Sequence, residues 1–83
     1  MMVNVRYFAS LREALGAGES LALAPGATVG SVRELLIARS AAHADALARG
    51  RALRSALNQN LCDDAAEVPD GAELAFFPPV TGG

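Results

Sequence analysis

The residues with the clearest chemical potential stand at the carboxyl end, in the run Pro78-Pro79-Val80-Thr81-Gly82-Gly83. Two terminal glycines remove side-chain bulk and most backbone restriction from the last two positions. The prolines before them fix their own φ angles, lack N–H donors and cannot continue a sheet interior. This combination predicts a stiff base carrying a thin tip. Fully extended, residues 78–83 span about 20 Å at roughly 3.3–3.6 Å per residue. A carboxylate on such a tip can enter a narrow active site of another protein, which makes Gly83 the candidate for chemical activation and the rest of the chain its handle. The other reading is a frayed terminus with no chemistry.

Other chemistry finds little support. His43 is the only histidine, and no second His or Cys stands at metal-ligand spacing, so no metal site is expected. The spacing predicts a solvated helical face for His43. Cys62 is alone, which excludes an intramolecular disulfide. Its neighbours Asp63 and Asp64 supply no cation to favour a reactive thiolate. Gly16-Ala17-Gly18 is too short for a phosphate-cradling loop. One histidine with no surrounding motif supports no Ser-His-Asp arrangement. The acids Asp63, Asp64, Glu67 and Asp70 read as a solvated loop or as a steering patch for a basic surface.

Eighty-three residues allow one small domain, and an apolar content of 52% is ample for its core. Seven basic residues against nine acidic ones give a net charge of −2, which leaves no electrostatic footprint for nucleic acid. All seven cations are arginine, so no lysine amine is present to be acylated by another copy. The absence of a long apolar run or a signal-like start predicts no membrane partner and a soluble, cytoplasmic protein.

The elements that must hold the tail follow from periodicity. Val3, Val5 and Tyr7 alternate with Asn4, Arg6 and Phe8, as in a half-buried strand. Ser10-Leu11-Arg12-Glu13 matches a capping box for a short helix that stops at Gly16 and Gly18. Leu21 and Leu23 suggest a second strand, ended by Pro25-Gly26. Thr28 is the expected N-cap of the main helix, whose apolar set is Val29, Val32, Leu35 and Leu36. The pair Ser31 and Glu34 is a second possible capping box. Ala41 to Ala48 favours another helical segment with Gly50 as its stop. Strands are expected over 52–58 and from Leu61, with a type I turn at Val68-Pro69-Asp70-Gly71 and a last strand Glu73–Phe77. The fold class is therefore α+β: a mixed sheet with one main helix across one face. The division is a domain over 1–77 and a tail over 78–83.

If the first and last strands are parallel neighbours, both end where the tail begins. Leu74 and Phe76 then join the core, and Phe8 and Phe77 point to the helix-free face near solvent. Two exposed aromatics beside a reactive tail make a partner-binding patch, with Leu61 as a weaker third member and Arg6 at its flank.

These residues bear a resemblance. The tail from Phe76 to Gly83 closely resembles that of the small sulfur-carrier subunits of molybdopterin synthase. The likeness extends through Tyr7-Phe8-Ala9, Leu11-Arg12-Glu13, Thr28-Val29, Ala56-Leu57-Asn58-Gln59 and Asp70-Gly71, in family order. It implies a ubiquitin-like β-grasp fold. It also implies that an adenylating enzyme, related to ubiquitin-activating enzymes and using ATP, joins Gly83 to AMP. A persulfide sulfur donor then displaces AMP and leaves a thiocarboxylate. The tail, with Gly82 as its positioning residue and Pro78, Pro79, Val80 and Thr81 in partner contact, would carry that sulfur into the large synthase subunit. There it attacks a cyclic pterin precursor to build the dithiolene. The implied assembly is a heterotetramer of two small and two large subunits, with no permanently bound cofactor and with acid–base residues on the large subunit. Alternatives are another sulfur carrier, for thiazole or thiolated nucleosides, a protein modifier joined to lysines, or an inert interaction domain.

Overall fold

The computed structural model describes residues 1–79. Its elements run β1 (Met2–Tyr7), α1 (Ser10–Leu15), β2 (Gly18–Ala22), α2 (Val29–Ile37), α3 (Ala41–Leu47), β3 (Arg54–Leu57), β4 (Asn60–Cys62) and β5 (Ala72–Phe77). The five strands form one mixed sheet in the order β2-β1-β5-β3-β4. β1 and β5 are parallel, with Val5 opposite Leu74 and Tyr7 opposite Phe76. β3 runs antiparallel to β5, with Arg54 opposite Phe77. β5 thus lies at the centre of the sheet, and its end coincides with that of β1. The topology is the ubiquitin-like β-grasp.

The alternation expected for β1 holds residue by residue: Val3, Val5 and Tyr7 are buried and Asn4, Arg6 and Phe8 exposed. The core joins these three to Leu74 and Phe76 of β5 and to Val29, Val32 and Leu36 of α2. Each of these eight side chains is almost wholly buried, which stabilises by about 1.5–3 kcal/mol apiece against leaving it in water. Leu35, expected in the same stripe, is 55% exposed. Val29, Val32 and Leu36 already complete the 3–4 spacing that faces the sheet, and Leu35 falls one 100° step outside it.

Thr28 caps α2 as expected. Its hydroxyl accepts from Ser31 N at 3.2 Å, while Ser31 Oγ accepts from Thr28 N at 2.9 Å. Ser31 therefore completes the Thr28 box and does not open a second one. The Ser10 cap is not formed: Ser10 lies inside α1, and Ala9 occupies the cap position at φ 54° with no side-chain cap. Arg12 N and Glu13 N donate to Ala9 O instead. Gly16 ends α1 at φ 90°, a left-handed position that suits glycine. The turn before β5 lies one residue later than expected. Ala72 N donates to Pro69 O, and Gly71 takes φ 78° at the third position, as in a type II turn. Asn58 and Gln59 both have positive φ and close the β3–β4 hairpin as a type I′ turn.

Two further helices accompany α2 on its side of the sheet. α3 ends at Leu47, with Ala48 as its cap and Gly50 in the turn beyond, so Gly50 is not the stop itself. Its end is held by a residue that periodicity overlooks, the buried Arg33 of α2. The Arg33 guanidinium donates to Leu47 O at 2.8 Å, to Ala48 O at 2.6 Å and to Arg51 O at 3.3 Å. Burial lowers its pKa, and these carbonyls supply partners that water would otherwise give.

Candidate functional site

The site is the end of the sheet at which β1 and β5 finish together. Phe8 N donates to Phe76 O at 3.2 Å, which ties the residue after β1 to the last turn of backbone before the tail. Because side chains alternate, Phe77 and Ala75 share the helix-free face with Phe8, and register places Ala56 of β3 and Leu61 of β4 beside them. Phe8, Phe77, Leu61, Ala56, Ala75, Gln59 and Glu73 together line a shallow concavity of about 440 Å³. The three residues expected to form a patch are thus brought together. Leu61 is the most exposed of them at 72%, Phe8 is 39% exposed, and Phe77 is half-buried. The Arg6 guanidinium lies 5.7 Å from the Phe8 ring centroid, within cation–π range.

Pro78 and Pro79 follow β5 directly and are half-buried. On the helix side, Pro78 borders a second cleft of about 400 Å³ between α1 and the loop after α3, with Leu11, Ala46 and Leu53 on its apolar wall and Arg51 on its rim. The root of the tail therefore stands between a concavity on each face of the sheet. Val80, Thr81, Gly82 and Gly83, the other residues expected to act in the tail, lie outside the described residues.

A polar cluster that the sequence did not announce sits under the same end of the sheet. The Glu19 carboxylate accepts from Tyr7 Oη at 2.7 Å, bonds His43 Nε2 at 2.8 Å and pairs with Arg39 Nε at 3.2 Å. His43 Nδ1 is bonded in turn to Ser40 Oγ at 2.7 Å. His43 is accordingly not on a solvated face: its side chain is only 14% exposed and meets the Tyr7 ring edge-on. Burial pushes the Glu19 carboxyl up, but the hydrogen bonds from His43 and Tyr7 and the charges of His43 and Arg39 outweigh it, holding Glu19 below its ordinary value. Burial, aided by the Glu19 hydrogen bond and charge, raises the Tyr7 phenol far above its ordinary range. The cluster pins α3 to β1 and β2, and no buried side-chain nitrogen or oxygen in it is left without a partner.

The acidic loop is mostly occupied with its own structure. Asp64 pairs with Arg49, which also holds Glu34 and Gly30 O. Asp70 Oδ1 accepts from Met2 N and Asp63 Oδ1 from Ala65 N. Cys62 is half-buried, with Sγ 3.7 Å from Ser55 Oγ. Among the described residues no three His, Cys, Asp or Glu side chains are grouped to share a metal, and no helix is long and apolar enough to cross a membrane.

A family model described as the ThiS family matches residues 5–83. The chain belongs to the ThiS family. It is 42% identical over 82 residues to the molybdopterin synthase sulfur carrier subunit of Escherichia coli K12, an alignment that covers 99% of this chain and 100% of the relative. Among solved structures, SAMP1 of Haloferax volcanii, a small archaeal modifier protein, superposes with a TM-score of 0.78 at 28% identity over the whole of both chains. The complex of subunits 1 and 2 of the molybdopterin-converting factor of Helicobacter pylori supplies a chain that matches with a TM-score of 0.69 at 26% identity, again over the whole of both. The likeness read from the tail and the internal motifs is thus carried by the full length of this ThiS-family chain.

Proposed function

We propose that the chain is the sulfur carrier subunit of a molybdopterin synthase. The observation that carries this reading is the 42% identity over 82 residues to a carrier of that name, together with a Gly-Gly sequence that follows the central strand along the chain. A carboxylate is a poor acyl donor because oxide would have to leave. An adenylating enzyme that uses ATP therefore joins Gly83 to AMP. A persulfide of the sulfur donor displaces AMP to give an acyl disulfide, and a second thiol then attacks the donor sulfur, forming a disulfide with it and releasing the thiocarboxylate on Gly83. This sulfur is a good nucleophile at neutral pH, and the tail presents it to the cyclic pterin precursor inside the large subunit.

In this reading Gly83 is a cosubstrate, and the chain itself supplies the handle. The Phe8, Leu61 and Phe77 patch is the surface on which the large subunit sits, with Pro78 to Gly82 threading its channel. A solved complex of the two subunit types from Helicobacter pylori supports a partner of this kind. Two small and two large subunits in the cytoplasm complete the proposed assembly. No resident cofactor is assigned to this chain.

Intact-mass analysis of the chain purified from its own cell tests the proposal. Replacement of one terminal oxygen by sulfur is expected, together with co-purification of a large subunit. The likeness to an archaeal modifier supports a second reading, conjugation of Gly83 to lysines of other proteins. That reading predicts Gly-Gly remnants on target lysines and an unmodified mass for the free chain. Remnants without any thiocarboxylate would displace the sulfur-carrier reading.

A further inference from the structure

The apolar patch is bracketed by charge, and strand register dictates how. Arg54 stands directly opposite Phe77, and Arg6 directly opposite Ala75, so the two arginines flank β5 on the helix-free face. Both are exposed, and neither is in an ion pair among the described residues. Arg6 is held over the Phe8 ring, which keeps its guanidinium at the rim of the patch. At the other end of the concavity stands Glu73, four residues back along β5 from Phe77. That spacing is about 13 Å at roughly 3.3 Å per residue. Its carboxylate is likewise in no ion pair among the described residues. Between the two ends lie Ala56, Leu61, Ala75 and the phenylalanines, and the one other residue lining the concavity is the uncharged Gln59. One face of the sheet therefore carries Arg54 at the tail root, Arg6 beside the apolar centre with its guanidinium over the Phe8 ring, and an anionic far end.

An apolar patch holds a partner but leaves its rotation about the contact normal weakly defined. A tail that must enter a narrow channel requires that rotation to be fixed. We propose that Arg6, Arg54 and Glu73 set the in-plane orientation of the large subunit on this face. The covering surface then presents carboxylates to the two arginines and a cation to Glu73. Turned end for end, the same surface would set like charges against each other at both ends, and electrostatic mismatch of this kind rejects a docking mode. This inference rests on the reading that the large subunit docks on the Phe8 and Phe77 patch.

The test uses the full chain with the large subunit from the same cell. Variants are Arg6→Glu with Arg54→Glu, Arg6→Lys with Arg54→Lys, Glu73→Lys and, as a control on docking itself, Phe77→Asp; thermal melts confirm that each is folded. Stopped-flow association at low salt is expected to slow by about tenfold or more for the double Glu variant, with a flattened salt dependence, and to change little for the double Lys variant. Single-turnover sulfur transfer from the preformed thiocarboxylate, at saturating large subunit, is expected to fall for the double Glu variant and for Glu73→Lys. Slower association with unchanged transfer in the saturated complex would overturn the orientation claim. So would wild-type association in both charge variants while Phe77→Asp fails to bind, a result that leaves the docking reading intact. If Phe77→Asp also binds normally, the docking reading falls and the inference with it.

Discussion

Gly18 offers the sharpest test of how the tail-bearing end of the sheet is built. A β-carbon on it would stand 2.2 Å from Val5 O, 3.2 Å from Val5 C and 3.3 Å from Arg6 Cα. A carbon normally approaches a carbonyl oxygen no closer than about 3.3 Å, so the overlap with Val5 O is about 1 Å. All three obstacles are backbone, and no change of rotamer relieves them. In Gly18→Ala, β1 and β2 must part at this end, where Tyr7 N donates to Ala17 O at 3.0 Å. The lost hydrogen bond costs about 1 kcal/mol and the overpacking about 1–3 kcal/mol, so the expected loss is about 2–4 kcal/mol. For a domain of this size each kcal/mol lowers Tm by about 4–8 °C, giving a fall of about 8–30 °C. Differential scanning calorimetry with urea titration reads both quantities. Gly50→Ala is the internal control: nothing lies within 4 Å of its added carbon and its backbone is not left-handed. It should be neutral or stabilising by up to about 1 kcal/mol. Melting of Gly18→Ala within about 2 °C of the native chain would show that the strands yield freely, and the argument from backbone contact would be wrong.

Three further outcomes are expected. Phe77→Asp should fold but lose more than about 2 kcal/mol of affinity for the large subunit, the range of an interface hot spot, as measured by calorimetric titration. Gly82→Val should melt like the native chain and yet be adenylated or sulfurated far more slowly, since a β-carbon widens the tip and excludes positive φ; a native thiocarboxylate yield would remove the thin-tip argument. Glu19→Gln should be less stable than the native chain at neutral pH. Because Glu19 is held below its ordinary value of 4.5, its contribution is present above that pH and fades as pH falls through the lower, folded value. The gap between the two proteins should therefore close in acid, and a gap independent of pH would refute the assignment.

What the sequence disclosed tracks the range of the forces involved. The alternation of β1 and the Thr28 cap depend on neighbours a few residues away and are readable from them, although Ser31 with Glu34 offers a rival start and strand ends shift by one or two residues. The outward placement of Phe8 and Phe77 needed one further step, the parallel pairing of β1 with β5, and alternation then decided it. Arg33 escapes a reading by periodicity, and His43 is misplaced by it, because their roles are tertiary. A long guanidinium at a helical position counts as polar in any periodicity, yet its stem can be buried when another helix end supplies carbonyls. His43 is tied to Glu19 only because α3 crosses beneath β1 and β2, and nothing in its own segment records that. Ser10 failed as a cap because Ala9 adopts a positive φ and offers its carbonyl to the first turn. The tail chemistry rests on residue types and family likeness alone, since its last four positions lie outside the described residues.

The placement of β5 has a consequence for biosynthesis. Of the strands in the described residues, the last in chain order lies at the centre, and its partner β1 is the first. Until the ribosome releases residues 72–77, the β1–β2 hairpin and the β3–β4 hairpin have no common neighbour, and Leu74 and Phe76 are missing from the core. Pairing across nearly the whole chain is a slow, non-local event in folding. A chain that stops short of these residues lacks both the seam between the two hairpins and a large part of the core. On the proposed function, folding itself then screens the carrier: a chain able to close its sheet is one whose synthesis has already reached the tail.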